Sequence, residues 1–126
     1  MINEMEKVLT VEEVVARFDS LAQQEKWFEI QDKLFSDDVR SVEPPDSPYF
    51  KDAAGKAVVR KKADEWVKKI EEVHQLHTTR PVVAGKHFSV GRTMDFTVRG
   101  FGRIKIEELM VYEVSEGKIV LEQFFY

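Results

Sequence analysis

The chain contains no cysteine among its 126 residues. That absence excludes a disulfide framework, a thiol nucleophile, an iron–sulfur cluster and a thiolate zinc site. Long apolar runs are missing as well, and none approaches the ~20 residues of a membrane-spanning helix, so no membrane partner is expected. Proline is scarce. Three of the four prolines fall in Pro44-Pro45-Asp46-Ser47-Pro48, which reads as a loop inside one domain because neither flank is secure alone. Surplus positive charge is lacking: 19 Lys and Arg face 23 Asp and Glu, a net charge of −4, which argues against a nucleic-acid partner. Residues Met1 to Lys7 carry neither a basic stretch nor an apolar core of a secretory signal, so a cytoplasmic location is expected.

What is present is apolar and aromatic. Hydrophobic residues make up 43 %, enough for a single globular domain over residues 1–126, and nine Phe, three Tyr and two Trp stand out. Thr10-Val11-Glu12-Glu13 fits a capping box, with Leu9 and Val14 placed as a hydrophobic staple. Val11, Val14, Val15, Phe18, Leu21 and Ala22 then keep helical spacing. A second helix is expected from about Glu25 to Phe35 on Trp27, Ile30 and Leu34. A third follows Gly55, with Val59, Ala63, Trp66, Val67, Ile70 and Val73 in one stripe. Its Arg60-Lys61-Lys62 run reads as a solvated face, with a phosphate-binding patch as the less favoured alternative.

From His74 the pattern changes to period two, punctuated by Ala84-Gly85-Lys86, Arg99-Gly100-Phe101-Gly102 and Ser115-Glu116-Gly117-Lys118. These turns divide the remainder into strands at about His74–Val83, His87–Val98, Arg103–Val114 and Lys118–Tyr126. Consecutive short hairpins make an antiparallel meander, so the class is α+β. Both faces of the last two strands carry apolar residues: Ile104, Ile106, Met110 and Tyr112 against Leu109 and Val111, then Ile119, Leu121 and Phe125 against Val120, Phe124 and Tyr126. A second copy of the sheet would cover the surplus face, so a homodimer through that face, including Tyr112 and Phe125, is expected.

The helix ending Leu34-Phe35-Ser36-Asp37-Asp38, the strand Val39–Glu43, the Gly-led third helix, the meander and the ending Gly117-Lys118-Ile119-Val120-Leu121-Glu122-Gln123-Phe124-Phe125-Tyr126 follow in that order. Over about residues 8–126 this order resembles the nuclear transport factor 2-like superfamily, particularly its SnoaL-like branch. The resemblance implies a cone-like curved antiparallel sheet wrapped over three N-terminal helices, with a pocket at the wide end. It implies isomerase, cyclase or lyase chemistry on a small apolar or polycyclic ligand, performed by a carboxylate whose burial tunes it for proton transfer. No cofactor enters this reading. In the ketosteroid isomerase relatives the base lies on the strand after the second helix and precedes a proline. Glu43 before Pro44 occupies that position, and Pro44 biases its backbone toward an extended form. The relatives' oxyanion tyrosine and protonated aspartate match Phe18 and Leu109, neither of which donates a hydrogen bond, so steroid isomerisation itself is disfavoured.

Arg92 interrupts an otherwise apolar face with Met94 and Phe96, and a buried arginine must find partners. It is the candidate electrophile beside Glu43. The same count turns Glu107, Leu109 and Val111 inward with Glu122, Phe124 and Tyr126, opposite Phe18 and Trp66 on the helices. The competing account of Arg92 is a structural Arg–Glu pair at the cone rim. His74 and His77 would point to opposite faces of a strand and so share no metal. Asp95 falls on the polar face, in solvent. Two functional readings follow: an acid–base enzyme in which Glu43 and Arg92 share one cavity, or a non-catalytic small-ligand-binding or dimeric association domain in which Glu43 is exposed and Arg92 is fully paired.

Overall fold

The computed structural model describes residues 8–126; the expectation drawn from Met1 to Lys7 lies outside the described residues. Helix α1, Val11–Gln23, starts with the anticipated capping box: the Thr10 hydroxyl accepts from the Glu13 amide at 3.1 Å and the Glu13 carboxylate accepts from the Thr10 amide at 3.0 Å. Its apolar face buries Val14, Val15, Phe18 and Ala22. The chain reverses at Glu25, a non-glycine residue at φ +58°, and enters α2, Trp27–Leu34. Strand β1, Phe35–Val42, and the short β2, Ala53–Ala54, precede Gly55, whose φ of +91° opens α3, Lys56–Lys69.

Helix α3 is shorter than its apolar stripe. Ile70 and Val73 belong to strand β3, Ile70–Thr78, where pairing with β5 claims their backbone. β-branched residues suit either role, and tertiary pairing decides. The strand expected at His74–Val83 is interrupted at Thr79-Arg80-Pro81, leaving a separate β4, Val82–Ala84. Strands β5, His87–Val98, β6, Gly102–Ser115, and β7, Lys118–Phe125, form the expected meander. The order β2-β1-β7-β6-β5-β3, with β4 also on β5, leaves the sheet open. Because β1 runs parallel to β7, the curved sheet is mixed, where an antiparallel one was expected. No helix among the described residues is long and apolar enough to cross a membrane.

Two details of register decide which side chains face the helices. Val98 pairs with Gly102, so Arg99-Gly100-Phe101 is a three-residue loop and Arg92, Met94 and Phe96 lie opposite Glu108, Ile106 and Ile104. A strand start at Arg103 would shift the pairing by one residue and invert every side chain of β6. Further on, the pairing passes from Val114–Ile119 to Glu113–Leu121, leaving Val120 as the extra residue of a bulge. Ile119 and Glu122 therefore both face inward although three residues apart. Gly117, at φ +77°, lets this hairpin press on the start of α1: a Cβ there would stand 2.8 Å from the Leu9 amide nitrogen.

The interior divides in two. Phe18, Phe88 and Tyr112 centre one cluster, with the Phe88 and Tyr112 rings stacked at 4.9 Å. Met94, Phe96, Val98 and Ile106 form the other, packed against Tyr49, Phe50 and Trp66.

Candidate functional site

Between α2, α3 and the inner face of the sheet lies a cavity of about 200 Å³. Its wall is aromatic and apolar: Trp27, Phe28, Phe50, Trp66, Met94, Phe96 and Phe124. Into it come six polar side chains, Gln31 from α2, Glu43 just after β1, Lys62 from α3, Arg92 from β5, Glu108 from β6 and Glu122 from β7.

Glu43 is 7 % exposed and accepts on both oxygens, from Lys62 Nζ at 2.8 Å and from the Tyr126 hydroxyl at 2.8 Å. Its own amide donates to Asp52 Oδ1 at 2.8 Å, which fixes the chain where it leaves β1. Lys62 spends its other N–H bonds on Ser41 Oγ at 2.8 Å and on the Lys51 carbonyl at 3.2 Å. Ser41 in turn donates to Glu122 Oε1 at 2.8 Å. One network thus links the two carboxylates through an ammonium and a hydroxyl, and the parallel pairing of Ser41 with Glu122 brings the strands that carry them side by side. Tyr126 also meets Ser47, which ties the proline-rich loop to the mouth.

Glu122 is 6 % exposed, and burial pushes its carboxyl up to about 7, against the Ser41 hydrogen bond and the Lys62 charge, which pull it down. Glu108 makes no hydrogen bond or ion pair with any described residue. Burial pushes it up to about 8; Arg92 opposes this, while the charges of Glu43 and Glu122 reinforce it. The pocket therefore presents a carboxyl group that burial favours in its protonated form, with no partner among the described residues, together with Glu43, whose two oxygens are each held by a donor.

Arg92 has other obligations. It is 8 % exposed, bonds both oxygens of Glu25 at 2.9 and 3.2 Å and Thr78 Oγ1 at 2.9 Å, and stacks 4.4 Å over the Trp27 ring. Burial alone would raise Glu25, but the hydrogen bonds from Arg92 and Trp27 and the Arg92 charge hold it below its ordinary value.

The structure gathers Glu43, Arg92, Trp66, Met94, Phe96, Glu122 and Phe124 around one cavity, with Tyr126 bonded to Glu43. It does not bring Phe18, Glu107, Leu109 or Val111 there. Phe18 lies in the core beneath, against Phe88 and Tyr112. Glu107 and Val111 pair with the outward-facing Thr93 and Ser89, and Leu109 is 46 % exposed. The three-residue loop is the reason, and it brings Glu108 inward in place of Leu109. Tyr112, expected on the outer face, is buried. Asp95, expected in solvent, is covered by a two-pronged ion pair with Arg103. Lys62, read as a solvated helix residue, is the donor that holds Glu43. Its place on the same helical face as Val59 and Trp66 was the available signal. Gln31 was missed too, although it directly follows Ile30 on the buried side of α2.

The SnoaL-like domain family matches residues 9–126. The chain belongs to that family. Among solved structures, this SnoaL-like domain is similar to a protein of Mesorhizobium loti provisionally named a SnoaL-like polyketide cyclase, at 30 % identity and TM-score 0.86, over 94 % of this chain and 100 % of that one. It shares its fold with a nuclear transport factor 2-like protein of unknown function from Burkholderia pseudomallei, at 16 % identity and TM-score 0.71, over 94 % and 92 %. It shares it also with a Catenulispora acidiphila protein of ketosteroid isomerase-like fold in complex with trimethylamine, at 18 % identity and TM-score 0.65, over 93 % and 87 %. No functionally curated protein shows significant similarity to the SnoaL-like domain described here.

Proposed function

We propose that this SnoaL-like domain is a cofactor-independent isomerase, cyclase or lyase that moves a proton at a carbon next to a carbonyl in a small apolar or polycyclic substrate. The observation that carries the reading is the pairing, in one apolar cavity, of Glu43, an acceptor held by Lys62 and Tyr126, with Glu108, a half-buried acid with no hydrogen-bond partner among the described residues. Aromatic walls hold the ring. The Glu108 hydroxyl donates to the substrate carbonyl oxygen, and Glu43 takes the α-proton. The C–H electron pair moves into the enolate, whose oxygen the Glu108 hydrogen bond stabilises more strongly than the starting carbonyl. Return of the proton from Glu43 to the far carbon of a conjugated dienolate completes an isomerisation; attack of the enolate carbon on a second carbonyl of the substrate closes a ring, and the alkoxide so formed takes the proton from Glu43. Arg92, bound by Glu25 and Thr78, sets the charge behind Glu108 instead of holding substrate.

The test is exchange of the α-protons of 2-tetralone in deuterated buffer, followed by NMR. The wild-type protein accelerates exchange over buffer, and Glu43→Gln removes about 10²-fold or more of the acceleration. Equal exchange with and without Glu43 overturns the assignment. A second reading, a non-catalytic binding domain, is favoured by one observation, the complete pairing of Arg92 with Glu25; it is the outcome if 2-tetralone binds and does not exchange. The homodimer remains part of the proposal, resting on Leu109 and Phe125 paired on the outer face. Light scattering that finds a monomer at micromolar concentration removes it.

A further inference from the structure

Gln31 is a cavity-lining polar side chain that the proposed chemistry leaves unused. It sits on α2 beside Ile30 and Leu34, which fill the core, and is 9 % exposed. Its carboxamide makes no hydrogen bond to any described residue, and Oε1 is sealed from solvent with no partner. A buried acceptor in that state destabilises the fold that contains it, since it has given up water and gained nothing. A methionine or leucine would fill the same space without that cost. The side chain nevertheless lines the cavity that holds Glu43 and Glu108.

We infer that Gln31 is a specificity-determining residue that receives a hydroxyl group of the substrate, so that the ligand class is a cyclic hydroxy-ketone. This rests on the reading in which the Glu108 acid takes the ketone oxygen. The two polar groups arrive from different walls, Gln31 from a helix and Glu108 from the sheet, so one ligand must carry two separated oxygens on an apolar ring. A half-turn of the terminal amide exchanges Oε1 with Nε2, and a hydroxyl, which both donates and accepts, satisfies whichever faces it. An apolar cavity alone discriminates weakly between ring systems. A site whose buried polar group is left unpaired by the wrong ligand discriminates strongly.

The experiment compares 2-tetralone with its ring-hydroxylated isomers by titration calorimetry, on the wild-type protein, Gln31→Met and Gln31→Leu. At least one hydroxytetralone binds the wild type about tenfold or more tightly than 2-tetralone, in line with one well-placed hydrogen bond. In Gln31→Met that advantage falls below about twofold, affinity for 2-tetralone itself stays within about threefold, and the melting temperature does not drop. The inference is overturned if no hydroxytetralone outbinds 2-tetralone, if the advantage survives in both variants, or if both variants melt well below wild type, which would make the amide structural. The two proposals fail differently. Binding and exchange of 2-tetralone without hydroxyl preference removes only the role of Gln31, whereas no binding of any ketone removes the reading of the pocket and this inference with it.

Discussion

Replacing Glu108 by glutamine should stabilise the protein, and by an amount that grows with pH. An unfolded glutamate titrates near 4.5, whereas burial carries Glu108 to about 8 in the folded chain. Between those values the folded state binds more protons than the unfolded state, so stability falls as pH rises through the interval. Each pH unit above 4.5 costs about 1.4 kcal/mol, which gives about 3 kcal/mol at pH 7 for a fully dehydrated group. Glu108 keeps partial exposure, so about 2 kcal/mol is the expected size at pH 7 and about 3 kcal/mol above pH 8. Glutamine mimics the protonated form and carries no such cost. Urea unfolding followed by circular dichroism at pH 4.5, 7 and 8.5 measures the difference between the two proteins directly. The curves should coincide at pH 4.5 and separate progressively, with the variant more stable. Glu122, pushed up to about 7, leaves the variant a residual slope of the same sign. Glu25 and Asp95, both held low by arginine, lose their contribution in acid, as pH falls from their unfolded values through their folded ones, and do so alike in both proteins. A stability difference that is the same at all three pH values would refute the reasoning.

Lys62→Met strips a donor from both Glu43 and Ser41 and should cost about 2–4 kcal/mol in urea unfolding; adding Glu43→Gln should return part of that loss, because the uncompensated charge is gone. Gly117→Ala should cost about 2 kcal/mol or more, since it combines a positive φ with a Cβ 2.8 Å from the Leu9 backbone, whereas Gly100→Ala, at φ +89° in open space, should cost about 1 kcal/mol. Thermal unfolding of the two variants checks the order. A double-mutant cycle on Arg92→Met and Glu25→Gln should give a coupling of about 1–2 kcal/mol, reduced from a fully buried pair because the Glu25 side chain is 34 % exposed.

The parts of the fold legible from sequence were those written in local chemistry. Thr10 and Glu13 announce the first helix by capping each other, and the glycine turns announce the meander. Glu43 was reached through the family resemblance, as the residue before Pro44 on the strand after the second helix. What escaped depended on single-residue choices of backbone geometry. Whether Gly102 ends a loop or begins a strand changes the fate of Glu107, Glu108, Leu109 and Val111 together, and no side-chain pattern decides it when both faces of β6 are apolar. The bulge at Val120 hid the common face of Ile119 and Glu122 in the same way. Lys62 was misread for a different reason: its charge spoke for solvent, and only the meeting of α3 with the end of β1 supplies the carboxylate that makes burial favourable.

The parallel contact of β1 with β7 has a consequence for how the molecule assembles. Strand β7 lies between β1 and β6, and its partners on the β1 side are about 80 positions away in sequence, as Ser41 and Glu122 show. Loop-closure entropy makes such a contact slow to form relative to the hairpins. Until β7 is seated, β1 and β6 each expose an unpaired edge of backbone, which is the state most exposed to misassociation with another chain. The hydrogen-bonded network of the cavity forms in the same event, because Ser41 and Glu43 come from one side of that seam and Glu122 and Tyr126 from the other. The hydrogen-bonded side of the cavity is therefore a late product of folding, and an intermediate holding the helices and the β5–β6 hairpin would look largely native and carry Arg92 and Glu108 while lacking the network of Glu43, Lys62, Ser41 and Glu122.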